Sequence, residues 1–480
     1  MRKAKILATL GPASRDPKVI EEMLEAGLDG VRVNMSHGTQ GEKAEDIRLA
    51  RTAAETKKRP LAVLVDLAGP KIRTGMLKDH QPVKLREAQR FTITTQNVEG
   101  DESRVSTNYA AMPCDVKPGG RLLLDDGAIE LRIEDVTETD VISRVVNGGV
   151  LGERKGVNLP GISLQIPCLT AKDQSDIGWA VQQHADYIAL SFVRSGRDLA
   201  EARELFKRSG GKAPLVAKIE KAEAIEHLDE IISSADGVMV ARGDLGVETG
   251  VEMIPVYQKR IIEHANAHGK LVITATQMLQ SMVEHPRPTR AETTDVANAV
   301  WDGSDCVMLS NETAIGEYPV EAVATMARII ESAETRPPPR NDLLSRLTGK
   351  ATRHVSRALC EAAVFAADEM KTRIIAVFTE SGLMARRLSA LRPEQRIVAL
   401  THSPEVMNDL ALIWGVTAVL TPPSRSTEEL LKLGERTLLL EGLVEAGETI
   451  VIMAGRLSGL GLSSSVTVYT IAGDIHQTIT

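Results

Sequence analysis

The chain has 480 residues, too many for one ordinary hydrophobic core, so two to four domains are expected. A formal net charge of -8 argues against a nucleic-acid backbone as partner, and only 3% aromatic residues argue against the stacking platforms that single strands require. Cys114, Cys168, Cys306 and Cys360 are far apart and form no CxxC, no stretch approaches 18 apolar residues, and the start MRKAKILATLG lacks a signal-peptide layout, so a reducing, cytoplasmic and membrane-free setting is expected.

From residue 5 onward, short β-branched runs alternate with stretches of helical period. The runs are KILATL (5–10), GVRVNM (30–35), LAVLVD (61–66), YIALSF (187–192), PLVAKIE (214–220), GVMVAR (237–242), LVITAT (271–276) and DCVMLS (305–310). Between them, PKVIEEMLEAGL opens with proline and VYQKRIIEHANAHG closes with glycine, as helices prefer. Eight such strands predict a (β/α)8 barrel, with an open doubly wound sheet as the alternative.

About a hundred residues interrupt this rhythm after the third strand. RFTITTQN and the strand–turn–strand pattern GGRLLLDDGAIELRIEDV, with Asp-Gly at the turn, predict a small inserted all-β domain. ETRPPPRNDLL (334–344) reads as a stiff linker, and beyond it TRIIAVFT, RIVALTH, VTAVLT, TIVIMAG and SVTVYTI predict a second α/β unit. The expected partition is barrel 1–69 and 165–336, inserted lid 70–164, and C-terminal α/β domain 345–480.

In a βα barrel, chemistry collects at the C-terminal ends of the strands. Those ends supply Arg32, Asn34, Ser36 and His37; Asp66, then Lys71 and Arg73; Lys218 and Glu220; Arg242, Gly243 and Asp244; Thr274 and Thr276; Ser310 and Glu312. Glu220 and Asp244 are hard oxygen ligands suited to Mg²⁺ or Mn²⁺. Arg32 and Lys218 can meet phosphate oxygens, RGDLG offers backbone N–H groups to a carboxylate, and Thr276 can orient water or relay a proton. The pattern fits a small substrate carrying phosphate and carboxylate, chelated by a divalent metal. A metal-dependent lyase or aldolase, or a non-catalytic sugar-phosphate sensor, are the competing classes.

The motifs KILATLGPAS, GVRVNMSHG, DLAGPKIRTG, RKGVNLPG, VAKIEKAEAI, MVARGDLG, TATQMLQSM and PRPTRAETTDVANAVWDGSDCVMLSNETAIGEYPVEA resemble the pyruvate kinase family over nearly the whole chain. The resemblance implies phosphoryl transfer from phosphoenolpyruvate to ADP, giving pyruvate and ATP, in a homotetramer. It assigns Arg32 and Lys218 to the phosphoryl group, Glu220 and Asp244 to Mg²⁺ (or Mn²⁺), and Gly243, Asp244 and Thr276 to the substrate carboxylate and its proton relay. It places Asn34, Arg73 and Lys155 at the nucleotide phosphates.

Relatives in this family bind an activating K⁺ through positions matching Asn34, Ser36, Asp66 and Leu67. Many of them carry Glu where this chain has Lys71, with Thr and Lys at Leu67 and Ala68. The departure implies that the Lys71 ammonium replaces K⁺, so K⁺ is not expected to be required. The loop VFTESGLM, with Thr379, Ser381 and Gly382, and AGRLSGLGLSSS, with Arg456, resemble the family's effector loops. Leu383 and Met384 depart from the fructose-bisphosphate pattern, so a sugar monophosphate or AMP is an equal candidate for an activator.

Overall fold

The computed structural model describes residues 2–162, 165–336, 355–423, 427–454 and 465–473. The end of the predicted linker, from residue 337, lies outside the described residues, as does Arg456.

Eight parallel strands close into a barrel. They are β1 (Lys5–Thr9), β2 (Gly30–Asn34), β3 (Ala62–Asp66), β12 (Tyr187–Leu190), β13 (Leu215–Ile219), β14 (Gly237–Ala241), β15 (Leu271–Ala275) and β16 (Cys306–Leu309), in the order β1-β16-β15-β14-β13-β12-β3-β2. Nearly every residue of these strands is buried, because helices cover one face and interior side chains fill the other. Closure is made by β1 against β16, with Lys5 opposite Cys306 and Ala8 opposite Leu309. The helix Pro17–Ala26 shows how the sequence punctuates the barrel. Asp16 caps its first turn by accepting from the Lys18 N–H, and Gly27 ends it at φ 114°, a region that favours glycine.

Between β3 and β12 lie β4 (Val83–Leu85), β5 (Arg90–Thr94), β6 (Arg104–Ser106), β7 (Arg121–Leu124), β8 (Ile129–Val136), β9 (Asp140–Asn147), β10 (Gly149–Leu151) and β11 (Val157–Asn158). Six of these form a sheet in the order β11-β7-β8-β9-β5-β6, and β10 pairs with β4. The predicted Asp-Gly turn joins β7 to β8, where Leu124 faces Ile129 and Gly127 has φ 90°. Alternate residues of β8 and β9 turn inward, so Leu131, Ile133, Val141 and Val145 build a core with Phe91 and Leu122.

The C-terminal sheet comprises β17 (Ile374–Phe378), β18 (Arg396–Thr401), β19 (Val416–Leu420), β20 (Thr449–Ala454) and β21 (Ser465–Thr470), in the order β19-β18-β17-β20-β21. The first four strands are parallel and β21 runs antiparallel to β20, as the near-adjacent final pair of runs predicts. By packing, the chain divides into two compact units. One is Met1–Val65, Gln182–Ile188 and Ile262–Thr480; the other is Asp66–Val181 and Ala189–Ile261.

Within the first unit, polar contacts fasten the N-terminal ends of barrel strands to the C-terminal sheet. Lys5 Nζ donates to the Val416 carbonyl at 2.7 Å, and buried Arg392 pairs with Asp305 at 2.8 Å while lying 4.8 Å over the Trp414 ring. Asp186, just before β12, accepts the Val63 N–H at 2.8 Å. Burial pushes its carboxyl up from 3.8 to about 7, against the opposing effects of the Val63 N–H and Arg51. Between those two values the folded chain holds a proton that the unfolded chain releases. Stability contributed by this group is therefore present at acid pH and falls as pH rises towards 7, by on the order of 1.4 kcal/mol per pH unit. Asp186→Asn is expected to flatten that slope. Urea midpoints of wild type and variant between pH 5 and 8 check this, and parallel curves would refute it.

Candidate active site

The second unit gathers a charged cluster at the C-terminal ends of β3, β12, β13 and β14. Lys218 near the end of β13 places Nζ 2.7 Å from Glu220 Oε1, 3.3 Å from Asp66 Oδ1 and 2.7 Å from Ser191 Oγ. The ammonium thus meets two carboxylates and a hydroxyl, and all four residues are buried. Burying two carboxylates is unfavourable unless cations or donors meet them, and Lys218 serves both.

Glu220 is held at both oxygens. Lys218 takes Oε1, and Oε2 accepts the Phe192 N–H at 2.8 Å. That donor is aimed by an uncommon backbone: Phe192 follows β12 at φ 59°, a left-handed conformation that costs energy for a bulky residue. Burial raises the Glu220 carboxyl above its ordinary range; Lys218 opposes this shift and the charge of Asp244 adds to it. Asp244 itself sits in the first turn of the helix Arg242–Thr249, which begins directly after β14. Arg242 is buried and reaches Gln258 Oε1 at 3.3 Å.

Two protein carboxylates with no His or Cys suit a hard divalent cation that completes its shell from water and substrate oxygens. Among the described residues, no group of three or more His, Cys, Asp or Glu gathers as a metal cage.

At the base of the inserted domain, Arg73 bridges antiparallel to Gly156, and the Thr74 N–H donates to the Lys155 carbonyl at 2.8 Å. The two chain crossings are therefore neighbours, which brings the predicted Arg73 and Lys155 together. Lys155 Nζ pairs with Asp125 at 2.9 Å, and Arg73 donates to the Arg154 carbonyl at 3.0 Å. Lys71 is exposed, and its backbone carbonyl accepts from Asn108 at 3.0 Å. Leu67 is buried, with its carbonyl taken by Ser191 Oγ at 2.8 Å.

In the first unit, Arg32 on β2 donates to Thr9 Oγ1 at 3.1 Å, and Asn34 Oδ1 accepts the Ser36 N–H at 3.0 Å. Thr276 follows β15 at φ 69°, and its hydroxyl donates to the Ala275 carbonyl at 2.6 Å. Glu312 stands just beyond the end of β16, among the strand-end residues noted in the sequence. It is fully buried and accepts the Leu279 and Ser310 N–H groups at 3.0 and 2.7 Å. In the C-terminal sheet, Thr379 is buried just beyond β17, Ser381 is exposed, and Gly382 at φ 75° opens the helix Leu383–Ala390.

Sequence reading missed Ser191, the Phe192 N–H and the buried pair Lys221–Glu248. The run YIALSF contains Ser191 and Phe192, but neither carries charge, so nothing marked that strand end as reactive. The pairing of Lys221 with Glu248 spans 27 residues and has no local signature.

Parallel barrel strands whose C-terminal ends carry carboxylates, cations and a helix N-terminus are the arrangement of a barrel enzyme. The family model described as pyruvate kinase, barrel domain, matches residues 1–323, and the one described as pyruvate kinase, alpha/beta domain, matches residues 357–468. The chain belongs to the pyruvate kinase family. It is 41% identical to pyruvate kinase 2 of Synechocystis over 97% of this chain and 78% of that one. It is 40% identical to the pyruvate kinase of Corynebacterium glutamicum over 98% of both chains. A solved pyruvate kinase from Cryptosporidium parvum superimposes with a TM-score of 0.92 at 35% identity, covering 98% of this chain and 96% of that one.

Proposed function

We propose that the barrel rim transfers the phosphoryl group of phosphoenolpyruvate to ADP, giving ATP and pyruvate, with the Lys218–Glu220 contact at 2.7 Å as the observation that carries the assignment of roles. Arg32 and Lys218 hold the transferring group, and Lys218 also neutralises the enolate charge that develops as the phosphoryl group leaves. Its ammonium is turned toward Asp66, Glu220 and Ser191, so a substrate oxygen must displace one of these acceptors. That exchange gives Lys218 its strongest contact late, as charge builds up, rather than in the ground state.

The backbone N–H groups at Gly243 and Asp244, at a helix N-terminus, fix the substrate carboxylate. A Mg²⁺ or Mn²⁺ held by Glu220 and Asp244, when bound, supplies Lewis-acid polarisation of phosphate and carboxylate oxygens. Thr276 aids proton delivery to the enolate, and its left-handed backbone is the kind of strain that gathers at working sites. Asn34, Arg73 and Lys155 receive the nucleotide phosphates, and the inserted domain serves as a lid that keeps water from the phosphoryl group. Lactate-dehydrogenase-coupled detection of pyruvate with and without ADP tests this reading. A lyase or aldolase would release product without ADP, and a sensor would release none.

Lys71 stands in for the activating K⁺ that relatives bind at positions matching Asn34, Ser36, Asp66 and Leu67. Its exposed position leaves the ammonium able to swing toward substrate, where two unit charges 4 Å apart interact by ~4 kcal/mol at an effective dielectric near 20. The wild type is expected to run at full rate in tetramethylammonium buffer, and Lys71→Glu to lose activity and recover part of it with K⁺. A wild type that needs K⁺ at constant ionic strength would overturn this role.

The C-terminal domain, 345–480, binds a phosphorylated activator, a sugar phosphate or AMP. Strand order reverses at the neighbouring pair β17 and β20, and the carboxyl ends of such a pair are the usual ligand crevice of an open α/β sheet. Thr379, Ser381, Gly382 and Arg456 are the residues that would hold the activator's phosphate; Arg456 lies outside the described residues. Thr379→Ala with Ser381→Ala is expected to abolish activation and leave basal turnover intact, and an activator response that survives both changes would exclude this loop. The assembly is a homotetramer in the cytoplasm. Among the described residues, no helix is long and apolar enough to cross a membrane.

A further inference from the structure

Lys221 and Glu248, neither of them assigned to the reaction, form a buried ion pair. Their side chains are 10% and 3% exposed, and Nζ lies 2.5 Å from Oε1. Burying two charges is unfavourable unless their arrangement is needed, and an apolar pair of similar size would often serve stability as well. The question is what this pair holds.

Its neighbours answer. Lys221 directly follows Glu220, where the chain leaves β13 and enters the short helix Ala222–Glu226. Glu248 lies four residues after Asp244 in the helix Arg242–Thr249, so the two acids share one helical face. Lys221 Nζ also lies 5.8 Å from the centroid of the Phe192 ring, and the Phe192 N–H is the donor that holds Glu220 Oε2. One ammonium therefore links the strand end bearing Glu220, the helix bearing Asp244 and the strained residue that orients Glu220.

We infer that Lys221 and Glu248 are positioning residues that set the spacing and orientation of the Glu220 and Asp244 carboxylates for a divalent cation. The inference rests on the reading of those two carboxylates as the metal ligands. Groups that orient metal ligands without touching the metal commonly change affinity by ~10–100-fold when removed. A pair serving stability alone would change the unfolding midpoint and leave metal affinity untouched.

The test is Mn²⁺ binding, followed by electron paramagnetic resonance on full-length protein without substrates. Lys221→Met is expected to raise the Mn²⁺ dissociation constant ~10-fold. Because that change strands a buried Glu248, the double variant Lys221→Met/Glu248→Met leaves no lone charge and keeps the test open if the single variant fails to fold. The double variant is expected to show the same ~10-fold loss with a native circular-dichroism spectrum. At saturating Mn²⁺, both variants should recover most of their turnover, because the positions of the ligands are changed and not their identity. A folded double variant that binds Mn²⁺ within about twofold of wild type overturns the inference, since the expected loss is ~10-fold. Glu220→Gln serves as the control. If it too leaves Mn²⁺ affinity unchanged, the metal-ligand reading fails; if it alone weakens binding, only the positioning role fails.

Discussion

Lys218→Met is expected to lower turnover by ~10²–10³ or more while phosphoenolpyruvate binding stays within about tenfold. The ammonium is proposed to neutralise the developing enolate, and a group that acts mainly on developing charge contributes little to ground-state affinity. The structure adds a second consequence. Without Lys218, the buried Asp66 and Glu220 carboxylates lose the partner that lies 3.3 and 2.7 Å away. Removing one member of a buried pair typically costs ~3–5 kcal/mol, so the variant should also unfold at lower denaturant. Turnover must therefore be measured on protein whose circular dichroism is native. A raised Michaelis constant with normal turnover would reassign Lys218 to simple binding.

Glu220→Gln is expected to weaken Mn²⁺ binding at least ~10-fold and to depress turnover at subsaturating metal. The amide removes the charge that attracts a hard cation. It also cannot accept at both ends, so it can satisfy Lys218 or the Phe192 N–H, but not both, as the carboxylate does. Metal affinity and Lys218 orientation should thus fail together, and excess Mn²⁺ should restore turnover only in part. Full recovery at saturating metal would show that Glu220 serves as a ligand without orienting Lys218.

Much of this molecule was legible in its sequence because parallel barrel strands, covered on both faces, appear as short uninterrupted β-branched runs. The run GVMVAR and the observed strand Gly237–Ala241 differ only at the last residue, where the strand gives way to a helix. The inserted domain was readable for a different reason. Its antiparallel strands alternate, and an Asp-Gly turn stands between two of them.

The candidate site was legible where function demands charge: Lys218, Glu220 and Asp244 stand out at strand ends. It was illegible where function uses neutral or distant groups. Ser191 looks like any serine, although it joins Asp66 to Lys218. The Phe192 contribution is a backbone N–H, which no side-chain pattern can announce. Glu312, noted in the sequence only as an acid at a strand end, accepts two backbone N–H groups from residues 2 and 33 positions away, a partnership that no side-chain pattern announces.

The most direct test of the central claim follows phosphorus. Phosphoenolpyruvate, ADP and Mg²⁺ are mixed with the protein and observed by ³¹P nuclear magnetic resonance. The phosphoenolpyruvate signal is expected to decay as the γ-phosphate signal of ATP grows in equal amount, with no inorganic phosphate formed and no decay when ADP is omitted. Loss of phosphoenolpyruvate to inorganic phosphate, or at the same rate without ADP, would contradict it.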